Sequence, residues 1–249
     1  MTDEKQWVLV TGAAGGIGAA TCRRLAADGL QVWAVDRDGA GVRAVVEGLE
    51  GSGHRMTTID LTSLSSIDAL VEEMSATGIR LMGMIHHAAV LRRRDSIDEI
   101  TEDDWDFQID INLKATFFLD RAVARFLVEQ GDGGAIVNFT SQGWWSGGFG
   151  GSVVYAASKG GIVSMSRGLA RTLAPKGIRV NTIAPGFVDT AMMRDGLSEE
   201  ALAANVAQVP LGYLASPEEV ADAAVFLVGS DSRYITGATL NVTGGQLMY

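Results

Sequence analysis

The sequence predicts a single doubly wound α/β domain, in which a parallel sheet of about seven strands carries helices on both faces. Short apolar runs alternate with segments of helical periodicity along the chain, and the connections between them are short. This alternation is typical of a parallel sheet covered on both sides. The 249 residues contain no linker, repeat or low-complexity tract, so we expect residues 1–249 to form one domain.

The composition indicates a globular protein and excludes two classes of partner. Hydrophobic residues make up 47% of the chain, and the formal net charge is −10. Nucleic acids and anionic membranes both require clustered Lys and Arg, so we expect neither as a partner. The one cysteine, Cys22, cannot form an internal disulfide. Residues 1–5 are unlike a secretory signal and no apolar run reaches spanning length, so we expect a cytoplasmic protein.

The individual elements follow from the periodicity of apolar residues. Residues 7–11 form an apolar run that stops at Gly12, and Ile17, Thr21 and Leu25 then recur at helical spacing. Further strands are predicted over 31–35, 55–59, 81–86, 135–139 and 178–183, with one more near the C-terminus, and further helices over 41–49, 64–74, 102–129 and 153–173.

The turn between the first strand and the first helix is rich in small residues. Gly12, Gly15, Gly16 and Gly18 surround Ile17, so the backbone can approach a pyrophosphate closely. The helix that begins there directs its N-terminal N–H groups and its dipole at such an anion. A tight strand-to-helix turn without a ligand would use glycines as well.

An acidic residue at the end of the second strand favours a dinucleotide. Asp36 lies 18 residues beyond Gly18, close to the position at which a carboxylate accepts hydrogen bonds from the adenosine ribose. The same carboxylate would repel a 2′-phosphate, so the sequence favours NAD over NADP. The neighbouring Arg37 could pair with that phosphate and leaves NADP open.

A tyrosine and a lysine on the predicted helix 153–173 form a candidate catalytic pair. Tyr155 and Lys159 lie one helical turn apart on one face. A nearby ammonium lowers the pKa of a phenol, so Tyr155 could act as a general acid or base. Such pairs also occur on solvated helix faces. The function is favoured by Ser141, which ends a strand-like run and is joined to Tyr155 by a glycine-rich loop.

These motifs together resemble the short-chain dehydrogenase/reductase family over nearly the whole chain. The matching positions are Thr11-Gly12-x-x-x-Gly16-x-Gly18, Asp60, Asn112, Ser141, Tyr155-x-x-x-Lys159 and Pro185-Gly186. The resemblance implies a Rossmann-type NAD-dependent oxidoreductase that interconverts a secondary alcohol and a ketone. It also implies that residues 1–140 are mainly the dinucleotide-binding half, and that 141–249 carry the catalytic helix, a substrate lid and the last strand.

The resemblance also assigns roles to the catalytic residues. Ser141 would hold the substrate oxygen, and Tyr155 would exchange a proton with it. Lys159 would lower the pKa of Tyr155 and bind the nicotinamide ribose. Asn112 would anchor a water that relays protons to Lys159, although an amide within a helix often bonds only to nearby backbone.

Further cofactor contacts are implied by the same resemblance. Asp60 and Leu61 would meet the adenine, although Asp60 to Ser63 is also a typical helix N-cap. Residues after the sixth strand would hold the nicotinamide, and the segment 191–209 would form a lid that excludes water. The predicted nicotinamide contacts are Pro185, Gly186, Val188 and Thr190.

Two departures from the family pattern affect the expected site. The fourth strand ends in His86-His87-Ala88-Ala89 where the family usually has Asn-Asn-Ala-Gly. We expect His87 to brace the sheet, and we expect His87, Ala88 and Ala89 to contact the cofactor. The two neighbouring histidines are not predicted to bind a metal, because successive strand residues point to opposite faces of the sheet. Ser141 and Tyr155 are 14 residues apart, one more than usual, so Thr140 or Ser152 could compete for the role of Ser141.

The substrate pocket is less well determined. Trp144 and Trp145 form either its wall or a subunit contact; a wall would favour an apolar, cyclic or aryl ketone. The residues 92–94, all arginine, could bind an acidic substrate group or form a solvated face. The predicted pocket residues are Gln142, Trp144, Trp145, Phe149, Met192 and Met193.

The predicted function is therefore an NAD-dependent alcohol dehydrogenase or carbonyl reductase. A polyol, sugar-alcohol or hydroxy-acid dehydrogenase of the same family is the alternative, and a non-catalytic NAD-binding sensor is disfavoured because all four catalytic residues are present. An epimerase or dehydratase on the same fold is also disfavoured, because such enzymes resemble longer relatives with a substantial C-terminal substrate domain. The family resemblance further implies a homotetramer.

Overall fold

A single parallel sheet of seven strands organises the chain, in the order β3-β2-β1-β4-β5-β6-β7. The computed structural model describes residues 6–148, 150–195 and 198–249. The strands are β1 (Gln6–Thr11), β2 (Gln31–Asp36), β3 (Arg55–Thr58), β4 (Arg80–His86), β5 (Gly134–Phe139), β6 (Ile178–Pro185) and β7 (Thr239–Val242). This confirms the predicted doubly wound fold class.

Helices cover both faces of the sheet. They are α1 (Gly16–Ala27), α2 (Gly39–Glu47), α3 (Leu64–Thr77), α4 (Glu102–Ile109), α5 (Ala115–Gln130), α6 (Gly143–Ser146), α7 (Val153–Leu173), α8 (Ala191–Arg194), α9 (Glu199–Ala207) and α10 (Pro217–Val228). Among them is no helix long and apolar enough to span a bilayer, within the residues described.

Alternate residues of the strands feed two hydrophobic cores. In β1, Val8 and Val10 pack with side chains of α1 and α10, whereas Leu9 packs on the other face with α3 and α5. Strand side chains alternate between the two faces of a sheet. Because both faces are buried, the strands read as continuous apolar runs, which is why the sequence located them.

The predicted helix 102–129 is interrupted by one wide turn. It is observed as α4, a π-helical turn over Asp110–Lys114, and α5. The helix α4 starts at a capping box in which Thr101 and Asp104 exchange side-chain to backbone hydrogen bonds. π turns of this kind often mark functional positions, and this one carries Asn112.

The helix α10 was not located by the sequence analysis, although its start carries a clear signal. Ser216 and Glu219 form a capping box around Pro217, the first residue of the helix. At the other end, the Arg179 guanidinium from β6 donates to the carbonyl oxygens of Leu227 and Gly229 at 2.9 Å each. A cation at a helix C-terminus stabilises it, so this contact ties α10 to the sheet.

The buried carboxyl group of Asp120 lies between α5, β5 and α7. It accepts a hydrogen bond from Asn138 Nδ2 at 2.7 Å, and the same amide donates to Ser166 Oγ at 3.1 Å. Burial raises the pKa of Asp120 to about 7, against the opposing effect of the Asn138 hydrogen bond. The neutral acid is therefore the form that the fold favours.

We predict that this carboxyl group makes stability fall as the pH rises. The pKa of Asp120 is 3.8 in the unfolded chain and about 7 in the folded protein. Its contribution to the free energy of unfolding is therefore complete below pH 3.8 and is lost as the pH rises through 7. The free energy of unfolding of Asp120→Asn, relative to that of the wild type, should therefore increase from pH 5 to pH 8 by on the order of a few kcal/mol. Denaturant unfolding at both pH values measures this gain.

Asp132→Asn, at an exposed ion pair with Arg80, is the matched control. It should show no comparable change with pH. A difference between Asp120→Asn and the wild type that stays constant from pH 5 to pH 8 would contradict the prediction.

Candidate active site

A cavity of about 880 Å³ lies at the carboxyl ends of the strands. Strand order reverses between β1 and β4, which pair with each other but lead to connections on opposite sides. Open α/β sheets bind ligands in the crevice at such a point. The cavity runs from the glycine-rich turn after β1 to the start of α7 and the segment around α8.

The glycine-rich turn has no room for side chains. Gly12 has a φ of +66°, and a Cβ atom there would lie 2.6 Å from the Ala88 amide nitrogen. A Cβ on Gly18 would overlap the Gly12 carbonyl oxygen, and one on Gly16 would approach Thr190 Cγ2 at 3.1 Å. The first amides of α1 are thus open to an anion that a bulkier turn would exclude. Gly12, Gly15, Gly16, Ile17 and Gly18 all line the cavity.

The carboxylate of Asp36 is held at the end of β2 by two backbone amides. Its Oδ2 atom accepts from Ala14 N and its Oδ1 atom from Asp38 N, both at 3.0 Å. Each carboxylate oxygen can accept a further bond. Asp36 and the exposed Arg37, which the sequence predicts as cofactor contacts, both line the cavity. This end of the cavity therefore fits the adenosine part of a dinucleotide.

Asp60 and Leu61 form the adjacent wall. The Asp60 carboxylate accepts from the amide and hydroxyl of Thr62 at 2.9 and 2.8 Å, and these bonds lower its pKa. The N-cap of α3 is Ser63, whose side chain accepts from Ser66 N. The cap expected in this segment thus exists, and Asp60 still borders the cavity.

Ser141 and Tyr155 meet at the other half of the cavity. Both residues line the cavity, the Ser141 side chain acts to lower the pKa of Tyr155, and Ser141 Oγ accepts from Gly143 N at 3.2 Å. Thr140 is not a competitor, because its hydroxyl is buried and donates to the Lys159 carbonyl oxygen at 2.8 Å. Ser152 also lines the cavity. The longer loop is absorbed by the turn α6 and by glycines 147 and 148, both with positive φ.

Lys159 is buried beside Tyr155. Its Nζ atom donates to the Phe139 carbonyl oxygen at 2.8 Å and lies 5.6 Å from the centroid of the Tyr155 ring. Burial lowers the pKa of Lys159 to about 7. Lysine in this position is therefore close to losing its proton at neutral pH.

The expected lowering of the Tyr155 pKa is not observed. Burial raises the pKa of Tyr155 to about 12, and the Ser141 hydrogen bond and the charge of Arg93 only partly oppose it. The physical reason is that the protein removes the phenol from water more completely than its neighbours stabilise the phenolate. The phenol is consequently a proton donor until a further positive charge approaches.

Asn112 positions the loop that follows β4. Its Oδ1 atom accepts from Val90 N at 2.8 Å, and its Nδ2 atom donates to Val90 O at 2.9 Å and to Ser158 Oγ at 3.1 Å. The Asn112 carbonyl oxygen accepts from Thr116 Oγ1 at 2.6 Å. The side chain is fully buried, so it acts through this loop and α7; the proton relay stays a prediction.

The histidine that braces the sheet is His86, and the prediction for His87 is wrong on this point. His86 Nδ1 lies 2.5 Å from Thr11 Oγ1, and its Nε2 atom lies 2.9 Å from Thr116 Oγ1. Because the Thr116 hydroxyl already donates to Asn112, it accepts from Nε2–H, and Thr11 donates to Nδ1. Burial lowers the pKa of His86 to about 3, so the ring is neutral.

His87 borders the cavity with Ala88 and Ala89, as predicted. Its ring packs on Phe139 with centroids 4.1 Å apart. Neither ring nitrogen has a hydrogen-bond partner within the described part of the chain. The reason for the exchange of roles is the strand pleat, which points His86 at Thr11 and α5 and points the next residue at the cavity.

The far wall of the cavity comes from the segment after β6. Pro185, Gly186, Val188 and Thr190 line it as predicted. Thr190 caps α8 by accepting from Met193 N at 3.3 Å, and Met192 and Met193 follow as cavity residues together with Gln142. The predicted lid is thus two helices, α8 and α9.

Trp144 and Trp145 do not line the cavity, so their prediction as a substrate wall is wrong. Trp144 Nε1 donates to the hydroxyl of Tyr249 at 2.6 Å, and the Trp145 ring stacks on Tyr249 with centroids 5.2 Å apart. The turn α6 directs both rings outward to the C-terminal segment. Phe149 lies outside the described residues.

The three consecutive arginines separate into two kinds. Arg92 and Arg94 both pair with the buried carboxylate of Asp104, with closest N–O distances of 2.9 and 2.5 Å. These partners hold the pKa of Asp104 far below its usual range. Arg93 lines the cavity instead. The sequence analysis treated the three alike, and only Asp104 at the first turn of a helix could have indicated the difference.

Comparison with known proteins places this fold and site in one family. A family model described as enoyl-(acyl carrier protein) reductase matches residues 12–246. The chain is 38% identical to a (3R)-3-hydroxyacyl-CoA dehydrogenase of Canis lupus familiaris, covering 96% of this chain and 95% of the relative. It is 35% identical to a 3-oxoacyl-(acyl-carrier-protein) reductase of Escherichia coli, covering all of both chains.

A solved structure agrees with these relatives. A short-chain type dehydrogenase/reductase from Mycobacterium ulcerans superposes with a TM-score of 0.92 at 27% identity, covering 99% of this chain and 91% of that chain. The protein therefore belongs to the short-chain dehydrogenase/reductase family and is an oxidoreductase of that family.

We predict that replacing His86 destabilises the fold more than replacing its neighbour His87. His86→Leu leaves the Thr11 hydroxyl buried without its acceptor, and should lower the free energy of unfolding by about 1–3 kcal/mol beyond any packing change. His87→Leu removes two nitrogens that lack partners and should cost less, or stabilise. Denaturant unfolding of both variants measures the difference, and an equal loss in the two would refute the assignment of the brace to His86.

Proposed function

We propose that the protein is an NAD-dependent dehydrogenase that interconverts a secondary alcohol and a ketone, with 3-hydroxyacyl and 3-oxoacyl thioesters as the substrate class. The observation that carries the reaction type is that Ser141, Tyr155 and Lys159 line one cavity, with Lys159 Nζ 5.6 Å from the centroid of the Tyr155 ring. Two hydroxyl groups directed at one point suit the oxygen of an alcohol or ketone.

The chain's own residues would manage the proton. Ser141 holds the substrate oxygen by a hydrogen bond. In reduction the neutral Tyr155 phenol donates its proton to that oxygen; in oxidation Tyr155 would take the proton as phenolate, the form that the positive charge of bound NAD would favour. Lys159, with a pKa near 7, can exchange a proton with its surroundings in either direction. Met192, Met193 and Phe139 give this half of the cavity an apolar part beside its uncharged polar side chains.

NAD, when bound, supplies the hydride acceptor and donor. The glycine-rich turn would hold its pyrophosphate, Asp36 its adenosine ribose, and Lys159 and the segment from Pro185 to Thr190 its nicotinamide end. Asp36 and Asp38 both lie at the adenosine end and disfavour a 2′-phosphate there. Arg37 at the same end is the only opposing charge among these residues, so the negative balance supports NAD over NADP.

The substrate class rests on the relatives and on the cavity wall. Two of the relatives are named for a 3-hydroxyacyl-CoA and a 3-oxoacyl-(acyl-carrier-protein) substrate. The reason for an aryl or cyclic substrate was an aromatic wall, and the two tryptophans that would form it face the C-terminal segment. A flexible acyl chain suits the wall that methionines and glutamines form instead.

We further propose a cytoplasmic homotetramer. The helices α4, α5 and α7 carry large apolar side chains that are exposed in the single chain, and exposed apolar groups on neighbouring helices mark contact surfaces. They are Trp105, Phe117, Val128 and Val153.

Turnover assays with a substrate panel test the function. NADH absorbance is followed while the protein meets NAD and 3-hydroxyacyl thioesters, aryl carbinols, cyclic alcohols, sugar alcohols or free hydroxy acids. We expect the 3-hydroxyacyl thioesters to give the highest kcat/KM. Preference for another group would overturn the substrate class, and no turnover with bound NAD would favour the sensor.

Tyr155→Phe tests the acid/base role. Removal of the hydroxyl leaves no group to exchange the proton, so we expect kcat to fall by at least about 100-fold while NAD binding is kept. Cofactor affinity, measured by fluorescence titration, is the control for folding. A variant that retains its rate would exclude Tyr155 as the acid/base.

Asp36→Ala tests cofactor selection. Loss of the carboxylate removes an acceptor for the ribose and a negative charge near the 2′ position, so the NAD to NADP preference in kcat/KM should fall by roughly ten-fold or more. Asp28→Ala, at an exposed ion pair on α1, is the control. An unchanged preference in Asp36→Ala would remove the basis for NAD.

A further inference from the structure

The loop after β4 directs one arginine of three at the substrate half of the cavity. We propose that Arg93 binds an anionic group, a carboxylate or phosphate, that the substrate carries away from its reacting carbon. The inference rests on the proposed function and makes its substrate class narrower.

The two flanking arginines fix the loop. Arg92 Nη1 donates to Asp103 Oδ2 at 2.7 Å and to Asp104 Oδ1 at 2.9 Å, and Arg94 donates from Nε to Asp104 Oδ2 at 2.8 Å. The Arg92 amide also donates to Gln108 Oε1 at 3.1 Å. Asp104 is only 1% exposed, so both ends of the arginine run are anchored to α4. Arg93, between them, makes its hydrogen bond elsewhere, to the Asp195 carbonyl oxygen.

Arg93 keeps most of its hydrogen-bonding capacity. Its Nη1 atom donates to the Asp195 carbonyl oxygen at 3.2 Å, just beyond α8. A guanidinium has five N–H donors in a planar fork that matches a carboxylate or phosphate. No carboxylate pairs with Arg93 within residues 6–148, 150–195 and 198–249. The side chain is exposed, so a ligand can reach it.

The distribution of charged residues around the cavity favours Arg93 as the anion-binding group at the substrate half. Asp36, Asp38 and Asp60 line the opposite, adenosine end together with Arg37. Lys159 is buried and donates to the Phe139 carbonyl oxygen. The other described residues that line the substrate half are uncharged, including Ser141, Gln142, Met192, Met193, Asn205 and Gln208.

Proximity to the reacting groups supports the assignment. Arg93 lines the same cavity as Tyr155, and its charge acts to lower the Tyr155 pKa, although burial and the Ser141 interaction act more strongly. Arg93 also contacts the segment after α8, whose Met192 and Met193 line the cavity. An anion on this guanidinium would therefore lie between the loop after β4 and the segment that borders the substrate. In a chain with a net charge of −10, such a local positive charge gives selectivity for an anionic substrate.

Three thioesters of the same 3-hydroxyacyl chain distinguish the source of the anion. The CoA ester carries phosphates, the N-acetylcysteamine ester is neutral, and an N-acetylcysteamine ester with a carboxylate at the end of the acyl chain carries only that group. kcat and KM are measured for each with the wild type, Arg93→Gln, Arg93→Lys and Arg94→Gln. The last variant removes the same charge from the same loop but not from the cavity.

We expect the wild type to prefer one anionic ester over the neutral one in kcat/KM, mainly through KM. Arg93→Gln should reduce that preference by roughly ten- to a hundred-fold and Arg93→Lys less. Arg94→Gln should keep it, because Arg92 still holds the loop to Asp104. The preferred ester shows whether the anion is a phosphate or a carboxylate.

Two outcomes would overturn the inference alone: turnover without preference for either anionic ester, or a preference that survives in Arg93→Gln. An equal loss in Arg94→Gln would also overturn it, because loop order would then be the cause. No turnover of any ester by the wild type, with NAD or NADP, would instead overturn the proposed function and this inference with it.

Discussion

The buried hydrogen bond from Lys159 Nζ to the Phe139 carbonyl oxygen joins the two elements that carry the reacting groups. Phe139 ends β5 two residues before Ser141, and Lys159 lies one turn after Tyr155 on α7. An ammonium is costly to bury, which its lowered pKa reflects, so this contact exists only because the helix packs firmly on the sheet. The distance between the Ser141 and Tyr155 hydroxyls depends on that packing.

A second polar network holds the opposite wall. His86 connects β1 to α5 through Thr11 and Thr116, and Thr116 in turn bonds to the carbonyl oxygen of Asn112. The π turn places the Asn112 amide against the backbone of Val90, and so it fixes the loop that continues to Arg93. This wall is thus held by buried uncharged groups whose hydrogen bonds are made, and such a network rigidifies a site.

The sequence analysis located those elements whose backbone conformation is set by residues nearby in the chain. The boundaries of α7 were predicted as observed, because apolar periodicity runs over the whole helix. The glycine-rich turn and Asp36 were located by spacing, since a tight turn and a strand end are local features. The helix α10 shows the limit: its capping box was present in the sequence, but no motif drew attention to it.

The sequence by itself determined the fold class and the family and located the glycine-rich turn, Asp36, Ser141 and Tyr155 at the cavity, because strand alternation, helix periodicity and short motifs all depend on neighbours along the chain. Only the tertiary structure decided which of two histidines braces the sheet, that Trp144 contacts Tyr249 and not a substrate, and which arginine faces the cavity. Each of these depends on a side-chain direction and on a partner distant in sequence. Spacing alone does not encode such a contact.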